Sequence, residues 1–427
     1  MKSVKNIKSG LLSRQYSFAK MAIKASAGAF FAGDMSLKDR LKNGLEKQLE
    51  EIVAELGIMK GSLMKAGQML SLYSSAFLSP EAQKVLKVLE NQSHFLEWDV
   101  IKRRIPKDWL EELDINPTPL AAASLGQVHL ATPKNGDLPF VMKIQYEGIK
   151  KAIDNDVRAL KWLLSALNLL PKDLDLSEVF QEVKNMLHQE TDYLAESAAT
   201  KTFREMIKNY PQYEIPLVIE KYSHDSILST SYLDGVSPRS AEALALSQEK
   251  RDKLGAEFMR LFLLELFEWG MVQTDPNFGN YLILDYQDYP RWGLLDFGAS
   301  KIPPDDFLKS YKNLILSCAL LDRDLYFKTI HEMGYLSTSK TSNTDLLWEY
   351  ANLIAEPFKG GDYDWGNSSI PDEMFKFMPR LMKEVSIGNP PSHAIFIDRK
   401  IGGVFFMLKA LGARIDARKI LMETIDS

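Results

Sequence analysis

Three side chains in the second half of the chain could hold and direct a charged substrate. Asp275 and Asn280 stand in TDPNFGN, and Asp296 follows in LLDFGAS. The stretch from Gly270 to Ile283 contains no Cys, Ser or His, so the usual nucleophiles are missing from it. Carboxylate and amide oxygens are hard donors that suit Mg2+. A carboxylate can also orient an attacking hydroxyl or water. The combination fits phosphate chemistry, in which an oxygen of the substrate or of water is the attacking atom.

Further parts lie upstream. AAASLGQVHLA supplies a loop of small residues, Ala121, Ala122, Ala123, Ser124 and Gly126. Lys143 sits in VMKIQY, and QETDYLAESAAT brings Glu190, Asp192 and Glu196. A triphosphate carries about four negative charges and needs cations and backbone donors around it. Lys143, on a strand, could reach the α- and β-phosphates. A helical carboxylate must hold so flexible a lysine, and Glu196 is the choice. Asn280 and Asp296 then serve as Mg2+ ligands and Asp275 as the group that orients the attacking oxygen. Each part alone is weak, because strand lysines and helical acid clusters are usually solvated surface. All five in this order match the parts of a protein-kinase-like fold.

Elements of both periods must position these residues. From Leu37 to Trp98 helix formers dominate, with apolar residues at helical spacing. INPTP, ending at Pro119, is a boundary. VHLATP and FVMKIQY then read as strands joined by a turn at Asn135-Gly136-Asp137. Val141, Lys143 and Gln145 share one face of the second strand. A long helical stretch is expected from Ile149 to Lys208. SILSTSYLDGVSP reads as a strand leaving a β-rich lobe at Asp234-Gly235, and the rest reads largely as helix, apart from Gly270–Ile283 and its partner stretch around Asp296. AEFMRLFLLELFEWGMV, from Ala256, is a buried amphipathic helix, with Gly270 as its stop. The fold class is α+β. The expected domains are a basic segment (1–36), a helical extension (37–116), a smaller lobe with inserted helices (117–234) and a helical lobe (235–427).

Bulk composition excludes several classes. With 427 residues, 45% hydrophobic and 26% charged, the chain is an ordinary globular protein of about two or three domains. A net charge of −5 carries no nucleic-acid signature. Cys318 is the single cysteine, so no intramolecular disulfide forms, and His/Cys metal sites are disfavoured. No apolar run reaches the roughly 18 residues of a spanning helix. No acidic residue precedes Asp34, while Lys2, Lys5, Lys8, Arg14, Lys20 and Lys24 do. This segment reads as a membrane-surface helix, an organelle transit peptide or a solvated basic tail. The expected location is cytoplasmic and peripheral at a membrane, or an organellar matrix if the segment is a transit peptide.

Two features depart from ordinary protein kinases: the phosphate loop is rich in alanine, and MKAGQ stands upstream with Lys65 and Gln68 on one helical face. Together with the other motifs they resemble the UbiB (AarF) family, atypical kinase-like proteins of ubiquinone biosynthesis. The shared motifs are K-x-G-Q at Lys65–Gln68, the alanine-rich loop at Ala121–His129, Lys143, E-x-D at Glu190–Asp192, D-P-x-x-G-N at Asp275–Asn280 and D-F-G at Asp296–Gly298. FIDRKIGGVFFMLKALGA, from Phe396, resembles the family's C-terminal helices.

The resemblance implies a two-lobed kinase-like fold with the K-x-G-Q helix over the substrate cleft. It implies that Lys65 meets Glu190 and Asp192 while Glu196 pairs with Lys143. On one ideal helix Glu190 and Glu196 stand about 240° apart, so one lysine could hardly serve both. It further implies ATP and Mg2+ as cofactors, ATP or ADP and an isoprenoid lipid or quinone precursor as partners, and ATPase or small-molecule phosphotransfer rather than phosphorylation of other proteins. One departure stands out. Gln273 and Asn277 replace the histidines of the usual H-A-D-P-H-P-G-N, and Phe278 replaces its second proline. The other expectation is therefore a nucleotide-binding pseudokinase that presents lipids or partner proteins.

Overall fold

The structure is a computed structural model that describes residues 2–4, 62–74, 94–123, 125–166, 170, 176–285, 287–336, 343–385 and 391–425. Most of the basic segment and of the helical stretch expected from Leu37 lies outside these residues, as do Ser124 and the side chain of Gln68. The chain forms two compact units. One comprises Met1–Ser197 and Leu217–Tyr232, the other Ala198–Pro216 and Leu233–Ser427. The last crossing between the units, at Tyr232–Leu233, lies next to the sequence boundary at 234/235.

The first unit contains strands β1 (Lys2–Val4), β2 (His94–Leu96), β3 (Leu113–Ile115), β4 (Ala121–Ala122), β5 (Gly126–Pro133), β6 (Phe140–Gln145) and β8 (Ile227–Ser231). Its main sheet runs β3-β5-β6-β8, with β4 folded onto β5, and all pairs are antiparallel. The β5–β6 connection turns at Gly136, whose φ of 91° suits glycine. Alternation along β6 buries Met142 and Ile144 completely and leaves Lys143 on the other face. Leu96, Ile101, Ile105 and Leu113 join that same core, so the described residues just before Pro119 pack with the sheet. β2 is a strand where the sequence read as helix; it pairs with β1.

Helices α1 (Ser62–Ser74), α4 (Ile149–Ala166) and α5 (Ser177–Glu190) pack on one another in this unit, and α2 (Trp98–Ile101) and α3 (Lys107–Glu112) flank the sheet. The apolar stripe of α4 is Ile149, Ile153, Val157, Leu160 and Leu164, at helical spacing and all buried. The long helix expected from Ile149 to Lys208 is broken. α5 ends at Glu190 and α6 (Tyr193–Met206) starts after Asp192. Asp192 accepts from Ala195 N at 3.0 Å, as an N-cap does, and so begins a new helix.

The second unit is built on α8 (Gln248–Phe267), which buries residues all round, from Leu254 to Leu266. Ser247 caps its start and Glu268 is its C-cap, earlier than the stop expected at Gly270, which instead turns the chain with φ 61°. Against α8 lie a sheet of order β7-β12-β11-β9 (Tyr213–Glu214, Arg291–Leu294, Tyr281–Leu284, Gly235–Val236) and the β10–β13 pair (Val272–Gln273, Ser300–Lys301). β10 to β13 fall in the two stretches around Asp275 and Asp296 that the sequence set apart from the helical remainder. Trp292, fully buried, donates its indole N–H to Leu254 O at 2.9 Å and ties sheet to helix. Helices α9 (Asp305–Leu320), α10 (Arg323–Glu332), α11 (Thr344–Ile354), α12 (Ile370–Glu384), α13 (Ser392–Leu411) and α14 (Ala417–Ile425) follow the short α7 (Ala241–Leu244) and α8. α13 and α14 pack on α8.

Candidate functional site

Two groups of side chains hold the residues singled out in the sequence, one in each unit.

In the first unit Lys143 projects from β6 to Glu196, on the first turn of α6. Its Nζ stands 2.7 and 2.9 Å from the two carboxylate oxygens, and the Glu196 side chain is only 3% exposed. The Tyr193 ring lies 5.1 Å from the same ammonium. One turn of α6 thus fixes both the height and the charge of Lys143. Lys65, on α1, pairs with Glu190 at 2.9 Å. The split of the two lysines between two acids agrees with the expectation. Its cause differs: Glu190 closes α5 and Glu196 opens α6, so the two acids sit on separate helices. Asp192 is exposed between them as the cap of α6. The Ser62 hydroxyl donates to the buried Asp156 carboxylate, tying α1 to α4 at the start of the K-x-G-Q helix.

The alanine-rich loop is a tight hairpin. Ala121 and Ala122 pair with Val128 and Gln127, and Ala123 N donates to Gly126 O at 2.9 Å. That amide is engaged within the loop. Gly126 has a packing reason to be glycine, because a Cβ there would meet Ile144 O at 2.4 Å. Gln127 and His129 point into the core. Gln127 exchanges hydrogen bonds with the backbone of Leu96 (2.9 and 3.3 Å) and its amide donates to His129 Nε2 at 2.8 Å. His129 Nδ1 donates to Asn116 O at 2.7 Å. This fixes the neutral tautomer, and burial lowers the imidazole pKa below its ordinary value. The second half of the motif therefore latches β5 to β2. Sequence reasoning grouped these two residues only by motif.

In the second unit Asp275 is held on both carboxylate oxygens. Oδ1 accepts from Arg399 Nη2 at 2.6 Å, and Oδ2 from Asn280 Nδ2 at 3.2 Å. Asn280 Nδ2 also donates to Asp275 O at 2.9 Å, which leaves its Oδ1 as the end that Asp275 does not engage. Asp296 Oδ1 accepts from Gly298 N at 2.9 Å, turning the D-F-G backbone around the carboxylate. The two acidic stretches are laddered together: Gln273 pairs with Ser300 across β10–β13, Thr274 N donates to Ala299 O (3.1 Å) and Leu295 N to Asn280 O (2.9 Å). Phe278 carries the Arg239 guanidinium 3.7 Å from its ring centre.

Beneath this loop lies a buried ion pair that sequence reasoning missed. Lys400 Nζ and Glu265 Oε2 are 3.0 Å apart, on α13 and α8, and both side chains are at most 2% exposed. Burial pushes the Glu265 carboxyl up, against the pull of Lys400. Burial alone would lower Lys400, but Glu265 and Tyr281 outweigh it and hold the ammonium above its ordinary value. The available signal was the charged run Asp398, Arg399 and Lys400 inside a mostly apolar helical stretch. Arg399 points to Asp275 and Lys400 into the core.

No group of three or more His, Cys, Asp or Glu suited to a metal ion occurs among the described residues. Mg2+ does not require one, since it usually takes one or two protein oxygens and completes its shell with phosphate and water. Asn280 and Asp296 fit that kind of site.

Comparison with known proteins identifies the chain. The ABC1 atypical kinase-like domain matches residues 93–330. The chain belongs to the UbiB (AarF) family. The rat atypical kinase COQ8B, mitochondrial, is 31% identical over 386 residues, covering 89% of this chain and 72% of the relative. The mitochondrial COQ8 of Saccharomyces cerevisiae is 30% identical, with 88% and 76% covered. The chain spans 62% of the length of COQ8 from Schizosaccharomyces pombe, at 30% identity over 88% of this chain. Among solved structures, the Rv3197–erythromycin complex of Mycobacterium tuberculosis superimposes with a TM-score of 0.62 and 23% identity, covering 91% of this chain and 98% of that one. That likeness shows the shared fold: the UbiB chain is an α+β, kinase-like protein. No helix among the described residues is long and apolar enough to cross a membrane.

Proposed function

We propose that the protein binds Mg-ATP and acts as an atypical kinase or ATPase on a small molecule, in support of ubiquinone or other isoprenoid-lipid metabolism. The Lys143–Glu196 pair carries this reading. A lysine held on two carboxylate oxygens beside an aromatic ring is a fixed cation at a defined point, which is what phosphate oxygens require. Asn280 and Asp296 would hold the magnesium, which when bound neutralises charge on the phosphates. Asp275, fixed by Arg399 and Asn280, would orient the attacking oxygen. Lys65 and Gln68 of the K-x-G-Q helix, with Glu190 and Asp192, would shape the approach of the acceptor. The names of the COQ8 relatives support the pathway and an organellar, mitochondrial-type setting. The peripheral membrane contact and the lipid or quinone-precursor partner belong to the same proposal.

A second reading rests on one observation: both oxygens of Asp275 are already engaged by Arg399 and Asn280. The protein would then bind nucleotide as a switch and turn over little. Phosphate release from Mg-ATP, measured with vesicles and a quinone-precursor-like phenol, separates the two. Release that is lost in Asp275→Asn supports the enzyme. Nucleotide binding without release, in wild type and Asp275→Asn alike, supports the switch.

A further inference from the structure

The side chain of Gln273 is 3% exposed and has no reactive atom, yet it touches four different parts of the second unit. Its Oε1 accepts from Tyr281 OH at 3.2 Å and from Lys400 Nζ at 3.3 Å. Its Nε2 donates to Asp275 O at 2.8 Å and to Asp296 O at 3.3 Å. An amide can in principle be turned either way, but here its direction is forced. A lysine ammonium has only donors, so the oxygen must face Lys400. The Tyr281 hydroxyl donates to the same oxygen. Lys400 is in turn anchored by Glu265 across α8 and α13. The N–H end of Gln273 is therefore aimed at the backbone of both acidic stretches, with its oxygen held by a buried charge pair.

We propose that Gln273 is a positioning residue that sets the spacing of Asp275 and Asp296, through their main chain, for the metal-bearing nucleotide. This deepens the proposed function and rests on it. The backbone ladder between β10 and β13 brings the two stretches together, and the shared amide adds a bond to both at the aspartates themselves. A neutral histidine, the residue usual in the family at this position, has one acceptor and one donor nitrogen and so can replace part of the amide's bonds, one on each side. A glutamate cannot, because it would turn a second acceptor oxygen onto two carbonyl oxygens.

The test compares wild type with Gln273→Leu, Gln273→His and Gln273→Glu in the full chain. The first readout needs no ligand: hydrogen exchange of backbone amides at 274–280 and 296–300. We expect exchange there to quicken about tenfold in Gln273→Leu and Gln273→Glu and by distinctly less in Gln273→His. The second readout is ATP affinity with and without Mg2+. The Leu and Glu variants are expected to lose about tenfold with Mg2+ and less than about twofold without it. Wild-type exchange and wild-type Mg-ATP affinity in a folded Gln273→Leu overturn the proposal. Should that variant not fold, the His and Glu variants decide it, and equal loosening in both overturns it. A wild type that binds no Mg-ATP removes the nucleotide reading, and the exchange pattern alone then decides whether Gln273 positions the two stretches.

Discussion

Arg399 and Asp275 lie 124 residues apart in sequence, and their side chains meet at 2.6 Å, with 18% and 12% of each exposed. The contact joins helix α13 to the D-P-x-x-G-N stretch. It makes the C-terminal region part of the candidate site in the second unit. Arg399→Ala is expected to cost about 1–3 kcal/mol of stability, the usual loss for a charge-assisted hydrogen bond. Arg399→Lys keeps the charge but not the planar fork and should fall between. Urea unfolding of the three proteins, beside their phosphate release, measures both effects. Unchanged stability and release in Arg399→Ala would remove the arginine from the site.

The pair Lys143–Glu196 should couple strongly. Lys143→Met leaves a buried carboxylate without its cation and is expected to destabilise the chain by about 3–5 kcal/mol. Lys143→Met with Glu196→Gln should recover much of that. A double-mutant cycle on thermal or urea unfolding should give a coupling of about 1–3 kcal/mol. Near-zero coupling would mean that Lys143 is an ordinary surface lysine. The folded double variant, expected to have lost nucleotide affinity, separates stability from binding.

Gly126 is expected to matter for the sheet more than for the nucleotide. Gly126→Ala places a methyl 2.4 Å from Ile144 O. Strand β5 must move, at a cost of about 1–3 kcal/mol. Thermal unfolding should show that loss, and nucleotide affinity of the folded fraction should change by less than about threefold. Intact stability with lost affinity would assign the glycine to the phosphates.

How far the sequence discloses the site follows from the range of each contact. The order of motifs, the strand carrying Lys143 and the pairs Lys143–Glu196 and Lys65–Glu190 were readable, whereas Asp192, grouped with Glu190 as a partner of Lys65, caps α6. The break between α5 and α6 was also readable in principle, since Asp192 is a good N-cap residue, but no Gly or Pro marks it. Arg399, Lys400 and Glu265 were not assigned, because their partners lie on distant elements and nothing local in the sequence specifies such pairs. The strands of the second unit are two to four residues long, too short for an alternating pattern to emerge.

His129 gives the protein a defined acid sensitivity. Its folded pKa is lowered by burial, so the folded state holds it neutral while the unfolded state protonates near 6.5. The unfolded state therefore binds the extra proton first. Stability is present in full above about pH 6.5 and falls as the pH drops towards the lowered folded value. Urea unfolding between about pH 7.5 and about pH 5, which brackets the ordinary histidine pKa, should show that slope in wild type and a shallower one in His129→Gln. Parallel profiles would place the acid sensitivity elsewhere.

The most direct test of nucleotide binding is a thermal-shift titration of wild type and Asp296→Ala with Mg-ATP, Mg-ADP and metal-free ATP. A ligand that binds only the folded state raises the melting temperature, by the equivalent of about 2.7 kcal/mol at a hundredfold excess over Kd. The expected result is a magnesium-dependent rise in wild type that disappears in a folded Asp296→Ala. No rise in wild type with any of the three ligands would contradict a Mg-ATP site in this chain.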